Sequence, residues 1–183
     1  MSDSTGTENW ASMRQVVLGV PDIEAASAEL RATFALSPGF ADPLLHDVGM
    51  SDETFRVGEV SHLELVGPLT DEAPINSWLA KGGGPGGFCL SIQVPNVAAL
   101  VANAEAVGVE MSIDTEAYDR RIVQFRPRDM GLLVEIDEIP EQDQWFWDDI
   151  EAEVPAAPVI DDVVGVEVAS PDPDAQSALW AAV

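Results

Sequence analysis

Basic side chains are scarce in this sequence of 183 residues. Lys81 is its only lysine, the basic residues total 8, and Asp and Glu total 33, which gives a formal net charge of -25. A chain of this charge repels polyanions, so nucleic acids and anionic membrane surfaces are excluded as partners. Two interpretations of the excess stay open. The surface is adapted to a high-salt cytoplasm, where ions screen the self-repulsion, or the protein is an ordinary acidic cytosolic one.

Cysteine is rare as well, and long apolar runs are absent from the sequence. Cys89 is the single cysteine, which excludes an internal disulfide and suits a reducing compartment. No apolar run approaches the roughly 20 residues needed to cross a bilayer, and the polar, acidic first residues do not resemble a secretory signal. We therefore expect a cytoplasmic protein that begins with a flexible arm at residues 1–12.

A pattern of strand, proline, Asx cap and amphipathic helix occurs twice. QVVLGVPDIEAA begins at Gln15, and CLSIQVPNVAAL begins at Cys89. Asp22 and Asn96 are placed to cap the two helices, and the proline before each cap cannot lie within a helix. Strand-like segments follow each helix. This repeat predicts two β-α-β-β-β modules, at about 13–66 and 88–138, within one domain at 13–139.

Several shorter elements are predicted between and after the helices. LLHDV, ETFRVG and SHLELVG indicate strands in the first module. Thr70 and Asp71 are expected to cap a short helix that ends at the following glycines. The run GGGPGG lacks the Lys-Ser/Thr ending of a phosphate-binding loop, so it is interpreted as a flexible linker.

The strand, Pro-Asp and helix pattern begins a third time near the C-terminus. Residues 140–159 form an acidic linker that Trp145, Phe146 and Trp147 could dock onto a surface. Residues 160–183 then contain VVGVEVASPDPDAQSALWAAV. One strand and one helix cannot bury their own apolar faces. We expect residues 160–183 to be the start of a further, truncated module, or to pack on the first module or on a partner subunit.

Two stretches carry a resemblance to a known family. LELVGPLTDEAPINSWLAKGGG and FRPRDMGLLVEI, together with the paired modules, resemble the vicinal oxygen chelate superfamily, and within it most closely the methylmalonyl-CoA epimerases. The resemblance spans about 13–138. It implies an α+β fold in which two paired β-α-β-β-β modules form a cupped, partly closed mixed sheet with helices outside.

The resemblance also implies a metal site with two ligands from each module. Carried onto this chain, the four positions are Gln15, Glu64, Cys89 and Glu135. The family usually has histidine where Gln15 and Cys89 stand. Carboxylates with a carboxamide suit Mg²⁺ or Mn²⁺, whereas a thiolate suits Zn²⁺ or Co²⁺. The expectation is therefore one of these divalent ions, or none.

Each of these ligand positions has an alternative interpretation. Cys89 could be a small buried hydrophobe in a core strand. Gln15 could be a polar strand start at the surface. Glu64 and Glu135 could point to the solvent side of alternating strands. Their equivalent places in the two repeated modules favour a role in the site for the two glutamates.

Epimerisation needs an acid/base group on each side of the reacting carbon. The resemblance implies Glu135 or Glu64 as one such group and Asp47 as the other, with His46 as an alternative base or a substrate contact. Arg120 and Arg121 are candidates for holding a substrate carboxylate or phosphate, and alternation allows only one of them to face inward. Surface positions are the alternative for all four of these additional residues.

Three functions follow from the resemblance. The first is a metal-assisted epimerase or isomerase, or a lyase of the same type, that transfers a proton alpha to a carbonyl, with an acyl-CoA as a candidate substrate. The second is a metal-free protein that binds a small molecule on the same fold. The third is a regulatory or assembly module. The family pairs modules within one chain or between two, so a homodimer stays open.

Overall fold

The computed structural model describes residues 10–150 and 159–183, which contain seven strands and six helices. The strands are β1 Ser12–Gly19, β2 Met50–Val57, β3 Ser61–Pro68, β4 Gly86–Val94, β5 Met111–Ala117, β6 Arg120–Phe125 and β7 Leu133–Glu138. The helices are α1 Ile23–Phe34, α2 Pro43–His46, α3 Pro74–Gly82, α4 Ala98–Ala106, α5 Pro127–Met130 and α6 Pro173–Ala182. Most of the predicted arm and residues 151–158 of the predicted linker lie outside the described residues.

The strands form one mixed sheet in the order β2-β3-β1-β4-β7-β6-β5. β1 pairs with β3 in parallel, whereas β2 with β3, β5 with β6 and β6 with β7 pair antiparallel. The predicted α+β fold is confirmed. The second module has the predicted β-α-β-β-β order, whereas the first has one strand fewer, because Pro43–His46 is helical. The sheet is open, with β2 and β5 at the two ends of its strand order, where the resemblance implied partial closure. No helix among the described residues is both long and apolar enough to cross a membrane.

The chain divides into two compact units. The first-module unit comprises residues 14–90, 149–150 and 159–167. The second-module unit comprises residues 10–13, 91–148 and 168–183. Each unit has its own apolar core.

The first-module core lies between α1 and one face of its strands. Asp22 caps α1, because its carboxylate accepts a hydrogen bond from the N–H of Ala25 at 3.0 Å. Phe55, Val57 and Leu65 are buried against the apolar face of this helix. These residues alternate with polar ones along β2 and β3, so the polar side chains point to the opposite face of the sheet.

The second-module core is built in the same way. Val94, Val123, Phe125, Val134 and Ile136 are buried on one face of β4, β6 and β7, where α4 packs on them. Asn96 is not the cap predicted for this helix, because α4 begins after Val97 without a side-chain cap. The side chain of Asn96 accepts a hydrogen bond from the N–H of Ala98 at 2.8 Å. The intervening residues of β6 and β7, which include Glu135, therefore face away from this core.

The C-terminal residues pack on both modules. Ile160 and Val163 lie against the first-module core. Leu179 and Trp180 of α6 lie against the second-module core, and the indole N–H of Trp180 donates to the carbonyl of Met130 at 3.0 Å. The helix predicted here is present. The strand predicted before it is wrong, because residues 160–170 have no ladder partner among the described residues and Val164 is 95 % exposed.

Three local predictions in the first half of the chain are also wrong. LLHDV is not a strand, because Asp42 caps a short helix that Pro43 starts. Helix α3 begins after Ala73 without a side-chain cap, and Pro74 occupies its first turn. The glycine run is only partly a linker. Gly83 ends α3 in the left-handed conformation, with φ of 78°, but β4 already begins at the fourth glycine of the run.

Candidate active site

A buried polar face lies opposite the first-module core. Its side chains come from three adjacent strands and are Gln15, Asp52, Thr54, Arg56, His62 and Glu64. The ladder register places His62 beside Gln15 on one side and beside Arg56 on the other, and it places Thr54 opposite Glu64. Five of these side chains are buried and Arg56 is half-buried. Buried polar side chains cost folding free energy unless they are paired, so a face that collects five of them is a candidate site.

Glu64 is held by Gln15 across the parallel pair of strands. The side-chain amide nitrogen of Gln15 donates to the Glu64 carboxylate at 2.6 Å, and both side chains are buried. Their burial excludes the surface position considered for Gln15. It also excludes simple solvation of Glu64 on the outside of the sheet. This arrangement fixes the orientation of the Glu64 carboxylate.

Asp52 is the second carboxyl group on this face. Burial raises its pKa from 3.8 to about 6, while the backbone N–H of Asp42 and the charge of His46 lower it and the Asp42 carboxylate raises it. That N–H donates to both Asp52 carboxylate oxygens, at 3.0 and 2.8 Å. A carboxyl group with a pKa near neutral suits proton transfer, since it is then able both to take up and to release a proton.

His62 is the least exposed titratable group on the face, at 2 %. Neither ring nitrogen makes a hydrogen bond within the described residues. Burial is the largest cause that lowers the pKa of His62, from 6.5 to about 4, and the positive charge of Arg56 is the next. A backbone polar group of Arg14 raises this pKa and so offsets part of the decrease. The imidazole is therefore neutral at physiological pH. The ring of Phe40 lies edge-on to it, with centroids 6.4 Å apart.

The second module has a comparable pair of one glutamate and one glutamine. Gln124 donates to the Glu135 carboxylate at 2.6 Å, and the Ser91 hydroxyl donates to its other oxygen at 3.1 Å. Glu135 is half-buried on the face of β7 that lies opposite the core. Each module thus holds one glutamate against a glutamine amide. The partner strand differs, because the amide comes from β1 in the first module and from β6 in the second.

An aromatic segment lies near the polar face of the second module. The side-chain amide of Gln93 donates to the carbonyls of Ile139 and Glu141, at 3.0 and 2.9 Å, which brings the start of this segment against the sheet. Trp145 and Trp147 are buried, and the ring of Tyr118 lies 5.8 Å from that of Trp147. The tryptophans of the predicted linker therefore dock on their own module.

The two predicted arginines point to different partners. Arg121 makes two hydrogen bonds to the carboxylate of Asp114, at 2.9 and 2.8 Å, which raises its pKa and lowers that of Asp114. Arg120 contacts Gln144 at 3.3 Å and Glu141 at 3.6 Å. Arg121 thus forms a surface ion pair, whereas Arg120 contacts polar residues of the aromatic segment.

Asp47 and His46 lie at the end of α2 rather than on a strand. Both side chains are exposed, because the stretch predicted as a strand forms a helical turn. Asp52, five residues further along the chain, is the acid that reaches the buried face. Cys89 is buried in β4, which agrees with a small hydrophobe and leaves its role as a ligand a prediction.

The donor chemistry does not fit the metal that the family implies. Where the resemblance implies histidine ligands this chain has Gln15 and Cys89, and the carboxylates of Glu64 and Glu135 each accept a hydrogen bond from a glutamine amide. No group of three His, Cys, Asp or Glu side chains within residues 10–150 and 159–183 is placed to hold an ion. We therefore derive no chemical step through a metal.

Sequence reasoning missed Asp52, Thr54, Arg56 and His62. Alternation in MSDETFRV and SHLELVG already placed them opposite the apolar residues Phe55, Val57 and Leu65. Alternation alone gave no indication that the opposite face is buried. The equal spacing of Asp52, Thr54 and Arg56, in register with His62 and Glu64, is the signal that could have found them.

Comparisons with known proteins give structural neighbours only. No family model matches the chain, and no curated protein matches its sequence. Methylmalonyl-CoA epimerase from Mycobacterium tuberculosis has a TM-score of 0.58 and 22 % identity, over 68 % of this chain and 85 % of that one. A methylmalonyl-CoA epimerase variant from Streptomyces coelicolor, in complex with 2-nitronate-propionyl-CoA, has a TM-score of 0.59 and 21 % identity, over 68 % and 94 %.

A hypothetical protein from Bacillus halodurans is a further neighbour. Its TM-score is 0.61, with 23 % identity over 72 % of this chain and 96 % of that one. At such identities the similarity shows the fold alone. The chain therefore shares the fold of these neighbours, and its activity has to be inferred from its own residues.

Proposed function

We propose that this protein is an epimerase or isomerase that transfers a proton at the carbon alpha to a carbonyl group. The observation that carries the proposal is the presence of two carboxyl groups, Asp52 and Glu64, on one buried sheet face. Epimerisation requires one group to remove the α-proton and another to return a proton from the opposite side. A single sheet face with two carboxyl groups meets this requirement.

The spacing of the two carboxyl groups suits a single reacting carbon. In the β2–β3 ladder Asp52 is opposite Val66, and Thr54 is opposite Glu64, so Asp52 and Glu64 are diagonal neighbours on one face. Diagonal neighbours of antiparallel strands are about 7–8 Å apart at their Cα atoms. Carboxylate oxygens that reach inward from such positions leave room for one tetrahedral carbon.

The environments of the two groups allow different roles. Glu64 is held by a neutral amide, and its fixed carboxylate suits proton abstraction. Asp52 has a pKa of about 6, so a substantial fraction is protonated just below neutral pH and is able to return the proton. Thr54, between them in the ladder, offers a hydroxyl group for orienting the substrate.

The structural neighbours suggest the substrate class. One is a methylmalonyl-CoA epimerase in complex with methylmalonyl-CoA and NH4+, with 20 % identity over 68 % of this chain. Acyl thioesters have acidic α-protons, and the enolate that forms on proton removal needs only carboxylate bases and hydrogen-bond donors nearby. An acyl-CoA is therefore the first substrate class to test.

The test is exchange of the α-proton of methylmalonyl-CoA with solvent deuterium, followed by mass spectrometry. We expect the wild-type chain to incorporate deuterium, and Glu64→Gln and Asp52→Asn to slow incorporation by roughly 10²–10⁴-fold, since each removes a general acid or base. The exposed Glu59→Gln, in the same unit, is the matched control and should exchange like the wild type. Wild-type exchange that both variants retain would contradict the proposal.

A second candidate is binding of a small molecule without turnover. The docked aromatic rings of Tyr118, Trp145, Phe146 and Trp147 favour it, with neighbouring centroids 4.9 to 5.9 Å apart. Such a cluster offers apolar contact area to a ligand. Saturable binding of an acyl-CoA with no deuterium incorporation would support this function over the first.

A further inference from the structure

His62 differs from the other polar side chains of the first-module face. It is 2 % exposed, and neither of its ring nitrogens makes a hydrogen bond within the described residues. Buried polar atoms are normally paired, so an unpaired buried imidazole calls for a physical reason. A contact with a bound ligand is one such reason. The position of His62 in the ladder indicates which part of a ligand would lie beside it.

His62 and Glu64 lie two residues apart on β3, on the same face of the sheet. Two residues of a strand span about 7 Å, which is within reach of two side chains acting on one small molecule. Arg56 is the cross-strand neighbour of His62, so a permanent positive charge stands beside the imidazole. The region around His62 therefore favours negative charge, one step along the strand from the carboxylate that would remove the proton.

We propose that the N–H of His62 donates a hydrogen bond to the carbonyl oxygen of the substrate and stabilises the enolate formed at that oxygen. This inference rests on the proposed function. Glu64 takes the α-proton, the electron pair of the broken C–H bond forms a carbon–carbon double bond, and the carbonyl π-pair moves to the oxygen. Protonation of the same carbon by Asp52 reverses these shifts. No electrons are gained or lost overall, and His62 keeps its proton throughout.

A fixed neutral donor is well suited to this role. A buried N–H needs no reorganisation when charge develops on the oxygen, so its contribution is larger in the transition state than in the ground state. The neutral ring also avoids transferring its proton to the enolate oxygen. In the superfamily that the sequence resembles, the implied metal would supply this stabilisation. Here the histidine ligands that the resemblance implies are replaced by Gln15 and Cys89, and His62 supplies the stabilisation instead.

The chain has only two histidines, which makes the test direct. With ¹⁵N-labelled histidine, the wild-type protein is titrated with 2-nitronate-propionyl-CoA as an anionic enolate mimic, and with propionyl-CoA as its neutral control. We expect the nitronate to shift the His62 imidazole resonances more than propionyl-CoA does. Nitronate binding that leaves the His62 resonances unchanged would overturn the inference.

Kinetics of two variants provide an independent test. His62→Phe keeps a ring but removes the donor, and His62→Gln keeps an N–H. We expect His62→Phe to lower kcat for α-proton exchange by roughly 10²–10³-fold with little change in KM, and His62→Gln to recover part of that loss. The Glu59→Gln control should match the wild type. Melting temperatures of both variants at or above the wild-type value would show that the loss is not one of folding.

The outcomes separate the inference from the function on which it rests. Wild-type exchange that His62→Phe retains within threefold overturns the role of His62 and leaves the proposed function standing. Absence of exchange in the wild type overturns both. Exchange that is lost equally in His62→Phe and His62→Gln, with lowered melting temperatures in both, overturns the inference in favour of a structural role.

Discussion

At the scale of single residues, Asp52 rather than Asp47 is the acid on a buried sheet face, and burial raises its pKa to about 6. Asp47 was predicted as the acid because LLHDV was interpreted as a strand. The signal against that interpretation was present, since Asp42 followed by Pro43 is typical of a helix start. The spacing of Asp52 with Thr54 and Arg56 indicates a shared strand face, but not that this face is buried. The role of Asp52 depends on burial, which is set by strands and loops distant in sequence.

The raised pKa of Asp52 predicts a pH-dependent cost in stability. A folded-state pKa of about 6 against an ordinary 3.8 means that the unfolded chain loses this proton first as pH rises. The free energy of unfolding therefore falls between about pH 4 and pH 6, and the loss from this group is roughly 3 kcal/mol at neutral pH. Asp52→Asn lacks this group, so its stability relative to the wild type should increase with pH by a similar amount.

Urea unfolding of both proteins at pH 4, 5, 6 and 7 measures this difference directly. His62 acts with the opposite sign, since its pKa is lowered to about 4 and stability from its burial is lost as pH falls from about 6.5 towards 4. The wild-type comparison cancels that contribution, because both proteins contain His62. A difference between Asp52→Asn and wild type that stays constant with pH would show that Asp52 is not buried as described.

Elements with a strong periodic signal were predicted well from sequence. Asp22 followed by a run of helical period gave α1, and the alternating segments gave β2 and β3. The segment 160–170 alternates like a strand but forms none, because a strand also needs a neighbour for its backbone groups. Pairing partners are not encoded locally, and this segment packs on the first-module core through the side chains of Ile160 and Val163.

Glycine substitutions test the docking of this segment. Gly58 adopts φ of 67°, and an added Cβ would overlap the backbone oxygen of Asp161. Gly108 adopts φ of 77°, with nothing within 4 Å of an added Cβ. Gly108→Ala should cost only the left-handed strain, about 1–2 kcal/mol. Gly58→Ala should cost about 1–3 kcal/mol more, because it also displaces the segment or strains the turn.

Chemical denaturation of the two glycine variants against the wild type gives these values. The two positions share the same backbone strain, so their difference isolates the contact with Asp161. Equal losses of stability in the two variants would mean that residues 159–163 do not lie against the β2–β3 turn.

The acidic surface is a property of the whole molecule. The net charge of -25 produces self-repulsion that five described ion-pair contacts, all at least partly exposed, offset only locally. The Debye length falls from about 10 Å at 0.1 M salt to about 3 Å at 1 M. Raising KCl over this range at pH 7 should therefore raise the melting temperature.

The same titration near the isoelectric point separates screening from general salt effects. The sequence isoelectric point is about 4.1, where the net charge and its self-repulsion are small. The KCl-induced rise should be clearly smaller there than at pH 7. A flat or falling response at pH 7 would count against an acidic surface adapted to high salt.

Fold and site differ in how far the sequence reveals them. The repeated pattern that starts at Gln15 and at Cys89 predicts the α+β fold, because the periodicity of apolar residues and the prolines that precede the helices are local features of the sequence. The equivalent strand ends of the two modules predict Glu64 and Glu135 as site residues, and the structure places each beside a glutamine amide. The chemistry around them was not predicted, because it depends on which neutral donors face each carboxylate in the folded chain.

The central claim is that the carboxyl groups of the first-module face transfer an α-proton without a metal ion. The most direct measurement is deuterium incorporation into methylmalonyl-CoA by the wild-type protein, first with EDTA and then with added Mn²⁺, Co²⁺, Zn²⁺ or Mg²⁺. We predict exchange that persists in EDTA, does not increase with any of the ions, and is lost in Glu64→Gln. Exchange that appears only when an ion is added would contradict the account and restore the metal-assisted mechanism through Gln15, Glu64, Cys89 and Glu135.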